Sequence, residues 1–168
     1  MSSRYNLAED GLTYKFTTAS GDLYIAYFTE FILTTKDGGE LCIPMFGFER
    51  KSQHLLQESR MHFDEKVKNT LQHLIREFFR LNPDKGVVYI CSQDGGKQRA
   101  RHVTFSRWFN DLGDAYAKYD SPEEYNENTF YSSLILLNAN AEKEQYIDAF
   151  FHTIEIWMGH EAARKNTG

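Results

Sequence analysis

Two periods run through the chain. Near its start, Leu12, Tyr14 and Phe16 alternate with Thr13, Lys15 and Thr17, the two-residue repeat of a half-buried strand. In its middle, Val67, Leu71, Leu74, Ile75 and Phe78 recur at three and four residues, the stripe of an amphipathic helix. A chain that changes period this way must build a sheet and then cover it with helices. All-α and all-β architectures are thereby excluded.

Turn chemistry divides the first third into hairpins. Ala19, Ser20, Gly21 and Asp22 separate a strand at 12–17 from one at 23–28. A third strand is expected at 31–35. Lys36, Asp37, Gly38 and Gly39 supply a tight turn, and a fourth strand returns over 41–48. Pro44 has no N–H for a ladder, so that strand is expected at an edge or bulged. Asp64 can cap the first helix, and Asn82-Pro83 stops it. Residues 86–90 read Gly-Val-Val-Tyr-Ile, a short apolar strand of the kind buried on both faces. A second helix follows over 97–112, then a polar acidic segment over 114–128 and a strand over 129–137. Asn140 can cap a last helix with Ile147, Phe150, Phe151, Ile154 and Met158 on one face. The expected fold is α+β: a mostly antiparallel sheet of N-terminal hairpins, β-β-β-β-α-β-α-β-α, with the helices packed on one face.

Length and composition fit one domain over residues 1–168, with a core from about 5 to 158 and a frayed tail at 159–168. With 13 Phe, 10 Tyr and 2 Trp in 168 residues, the chain has apolar surface enough to fold without disulfide or zinc. Met1 to Asn6 hold no apolar h-region, and no apolar run approaches the roughly 18–20 residues of a spanning helix. Cys42 and Cys91 form no CxxC pair. A reduced cytoplasmic protein is the expectation. The net charge of -5 gives no polyanion-binding signature.

The densest chemistry lies where the apolar strand meets the second helix. After Cys91, Ser92 and Gln93 come Asp94, Gly95, Gly96, Lys97, Gln98, Arg99, Ala100 and Arg101. Lys97, Arg99, Arg101 and Arg107 are four cations in a stretch, 95–110, that contains no acid. A helix start already carries about half a positive charge, so cations there are unfavourable unless an anion joins them. A strand, two glycines and a cationic first turn form a cradle for phosphate, carboxylate or sulfate. Asp94 would order the turn, Gly95 and Gly96 would let amides approach, and Lys97, Arg99 and Arg101 would neutralise the ligand. At about 100° per residue, Arg101 shares a stripe with Phe105, Trp108 and Leu112, while Arg99 and Arg107 fall on the other side. A plain turn and a solvated charged face would read the same way. Asp111, Asp114, Asp120, Glu123, Glu124 and Glu127 stand ready as balancing acids beside Lys118. Neither the GxxxxGK[ST] nor the GxGxxG spacing is present.

Other chemistry is thinner. Cys91 ends a strand beside a helix start, where a thiolate is favoured, but no histidine can be assigned to it. His54, His62, His73, His102, His152 and His160 form no HExxH and no repeated ligand spacing, so no metal is expected. No cofactor is expected either. Nucleic acid ranks below a small anion or a protein partner, because the net charge and the acidic segment repel a phosphate backbone.

The stretches Tyr89-Ile90-Cys91, Gly96 to Arg101 and Phe105-Ser106-Arg107-Trp108-Phe109 resemble a small bacterial family of unknown function, DUF6169-like and found mainly in Bacteroidota. The resemblance takes in Tyr14 to Thr18, Phe46-Gly47-Phe48, Phe78-Phe79 and Asn82-Pro83, and implies a bacterial source without a transferable activity. The element order also resembles the acetyltransferase fold. That family holds an acyl-CoA pyrophosphate on a glycine-bearing loop after its fourth strand, and residues 50–62 here contain no glycine, which argues against coenzyme binding. The leading expectation is a binding or interaction module with an anion site at residues 94–101. An enzyme is the alternative, either a transferase on a phosphate-bearing substrate or a thiol enzyme using Cys91. An accessory factor of a bacterial defence or toxin–antitoxin pair is a third.

Overall fold

The computed structural model describes residues 3–51, 65–91, 98–122 and 131–165. The chain forms β1 (Ala8–Asp10), β2 (Thr13–Thr17), β3 (Leu23–Thr34), β4 (Glu40–Lys51), α1 (Glu65–Leu81), β5 (Val87–Cys91), α2 (Gln98–Asn110), β6 (Tyr116–Asp120), β7 (Tyr131–Leu137) and α3 (Lys143–Lys165). The strands make a seven-stranded sheet in the order β1-β2-β3-β4-β5-β7-β6. Neighbours are antiparallel except β4 and β5, which α1 joins and which run parallel. The fold is α+β with a mostly antiparallel sheet.

Three features differ from what local pattern predicts. β3 is one continuous strand, not two: Thr29 and Glu30 sit in the ladder opposite Met45 and Pro44. They are polar because the sheet is exposed there, not because the chain turns. β4 is interior, not an edge. Its parallel pairing with β5 begins one residue past Pro44, at Met45, and covers only Met45–Val88 and Phe46–Tyr89. β1 and β6 add outer strands that the sequence pattern does not mark.

The helices lie on both faces, which corrects the expectation of one. Val87, Tyr89 and Ile135 pack with α1 and α2, around Leu71, Ile75, Phe79, Phe105 and Phe109. Val88, Leu134 and Leu136 point the other way and pack with Ile43 of β4 and with Tyr146, Phe150 and Ile154 of α3. Alternate residues of β5 and β7 thus serve two cores, as a continuous apolar strand demands. Each large side chain so buried contributes about 1.5–3 kcal/mol. Asn140 starts α3 by accepting the Glu142 amide on Oδ1 at 2.8 Å. The helix continues past Gly159 to Lys165.

On the first face α1 holds α2 by its carboxyl end. Gln72 Nε2 donates to the Trp108 carbonyl at 2.7 Å. Arg76 donates to the carbonyls of Asp111 and Leu112 at 3.4 and 3.3 Å, where unpaired carbonyls and the helix dipole favour a cation. No described helix is long and apolar enough to cross a membrane.

Candidate functional site

β5 lies between β4 and β7, and α2 begins a few residues beyond its carboxyl end. The connecting residues Asp94, Gly95, Gly96 and Lys97 lie outside the described residues. Arg99 and Arg101 belong to the first turn of α2, which carries no acid. Further along, Phe105, Trp108 and Leu112 of the stripe that the spacing predicts are buried, and so is Phe109 beside them. Arg107 is on the exposed side and makes no ion pair among the described residues.

Two of the balancing acids are engaged by lysines. Asp111 meets Lys68 of α1 at 3.0 Å, and Asp120 meets Lys118 of its own strand at 2.6 Å. Lys118 Nζ also reaches Ser106 Oγ of α2 at 3.3 Å, and the Ser133 hydroxyl donates to Asp120 at 2.6 Å. This network ties β6 and β7 to α2. Sequence spacing does not reveal it, because its members come from three elements.

Cys91 is the last residue of β5 and pairs with Tyr131. Among the described residues no group of three His, Cys, Asp or Glu could hold a metal ion.

A concave region elsewhere escapes sequence reasoning. A cleft of about 500 Å³ lies between the carboxyl-terminal half of α1 and strands β1 to β3. Tyr14, Phe28 and Phe78 give it aromatic walls, with Phe28 stacked on Phe78 at 4.8 Å and edge-on to Tyr14 at 6.2 Å. Glu9, Glu30 and Glu77 line it as well. Burial raises the Tyr14 phenol above its usual range, and the charges of Glu9 and Glu77 raise it further. Burial lowers the His73 imidazole, and Arg4 acts the same way while Glu77 opposes. A hydrogen bond from Arg80 holds the Glu77 carboxyl low. The cleft could have been sought only through exposed apolar residues such as Leu12 and Leu81, whose exposure is a tertiary fact.

A family model described as a family of unknown function (DUF6169) matches residues 63–152. The match takes in β5, α2 and the residues between them. No curated protein and no solved structure matches the chain.

Proposed function

The chain belongs to the DUF6169 family, whose function is unknown, and from that premise we propose that it is a binding module that takes a small anion where β5 leads into α2. The ligand is a phosphate, sulfate or carboxylate group. One observation carries the reading: a helix with an acid-free first turn, bearing Arg99 and Arg101, starts just beyond the carboxyl end of an interior strand. Amides at such a start have no partners within the helix, and added cations strengthen their pull on an anion. The engagement of Asp111 and Asp120 by lysines supports it, because those acids are committed elsewhere. Asp94, Gly95, Gly96 and Lys97, which lie outside the described residues, would supply the remaining contacts to the anion in this reading. Isothermal titration with inorganic phosphate and with sulfate tests it. Saturable binding is expected, and Lys97→Ala with Arg101→Ala should weaken it by roughly tenfold or more, the worth of charge-assisted hydrogen bonds. The melting temperature should barely move. A double variant that unfolds would make Arg101 a structural ion-pair member and end the proposal.

An enzyme acting on a phosphate-bearing substrate is the second reading. The strand arrangement favours it: β4 and β5 run parallel, so their carboxyl ends lie on the same side of the sheet, beyond which α2 begins. Ligands of open sheets sit in crevices outside the carboxyl ends of strands. Turnover of a phosphorylated or acyl-phosphate substrate that is lost with Lys97→Ala would select this reading over simple binding.

A further inference from the structure

We infer that the cleft between α1 and strands β1 to β3 docks a segment of a partner protein that presents a Lys or Arg side chain between apolar residues. The inference does not rest on the anion reading, since neither β5 nor α2 lines the cleft.

Charge is the first argument. Glu9 and Glu30 line the cleft, are exposed, and make no ion pair among the described residues. Glu77 is already held by Arg80. Lys85 also lines the cleft, so a partner cation must settle away from it, toward Glu9 and Tyr14. Burial is the main cause of the raised Tyr14 phenol, and the charges of Glu9 and Glu77 raise it further. The aromatic faces of Tyr14, Phe28 and Phe78 suit the stem and head of a basic side chain.

Apolar exposure is the second argument, and it selects a polypeptide over a free amine. The described residues include four exposed large hydrophobic side chains: Leu12, Ile32, Leu81 and Trp157. Leu12, 61% exposed, and Leu81, 64% exposed, both border this cleft. Ile32 stands on the same face of β3 as Phe28 and Glu30, opposite an exposed Cys42. A small cation would cover the aromatic walls and leave these residues in water. A segment with apolar residues on each side of its basic one covers both.

The test uses the isotope-labelled full chain and three probes: the peptides acetyl-Leu-Arg-Leu-amide and acetyl-Leu-Glu-Leu-amide, and arginine amide. The first should give saturable amide shifts confined to residues 7–14, 28–32 and 73–85. Glu9→Gln with Glu30→Gln should weaken it by about threefold or more, as two exposed ion pairs would. Leu12→Ser, at an exposed position that leaves the core intact, should weaken it too. No saturable shift with the arginine peptide overturns the inference. So does equal binding of the glutamate peptide, which would remove the charge argument. So does equal binding of arginine amide, which would make the site one for free cations.

Discussion

The rings of Tyr89 and Phe105 lie parallel, 3.7 Å between centroids and 2° apart in plane. Phe105 also meets Phe48 at 5.3 Å and Phe46 at 6.2 Å. One residue of α2 therefore touches both β4 and β5, where the backbone ladder between those strands is only two positions long. Aromatic packing supplies the cohesion that the short ladder lacks.

Phe105→Ala should accordingly cost about 3–5 kcal/mol, the range for emptying a buried phenylalanine site. Urea unfolding checks this, with Phe105→Leu as a milder variant that keeps most of the volume. A loss below about 1 kcal/mol for the alanine variant would mean that the strands hold together without α2.

β5 shows how far the pattern of residues carries. Its five apolar residues require cover on both sides, and that requirement already contradicts helices on one face. The apolar stripe of α3, with Phe150 and Ile154, is what fills the second side. The lesson was available in the sequence but needed two elements to be read together. β6 was not available. Ala117, Lys118 and Asp120 are poor strand formers that dilute the preference of Tyr116 and Tyr119, and β7 pairs with the segment from Tyr116–Leu137 to Asp120–Ser133. Likewise Asp111 and Asp120 were legible as charges, but not their partners Lys68 and Lys118. The cleft was illegible for the same reason, since Tyr14, Phe28 and Phe78 lie far apart in the chain.

Gly86 marks where the second core tolerates nothing more. A Cβ there would lie 2.7 Å from Leu136 Cδ2 and 3.1 Å from Ile43 Cδ1. Both neighbours are fully buried, so neither can step aside. Gly86→Ala should destabilise by about 1–3 kcal/mol through overpacking. For a chain of this length that lowers the melting temperature by roughly 2–10 °C. Calorimetry checks it, and a variant as stable as the parent would show that α3 and the sheet yield at this point.

His73 gives the cleft a pH signature. Burial holds its imidazole below the ordinary value of 6.5, and Arg4 adds to the effect. The folded chain then binds the proton more weakly than the unfolded chain does. Above 6.5 neither state is protonated and the group costs nothing. As pH falls through 6.5 toward the lowered value, the unfolded state takes up protons first, and stability falls with pH across that window. His73→Gln keeps the bulk of the ring and removes the titration. Urea midpoints measured at about pH 8 and about pH 5.5 should therefore drop further for the parent than for the variant. Parallel drops would show that His73 titrates alike in both states and that acid sensitivity arises at other groups.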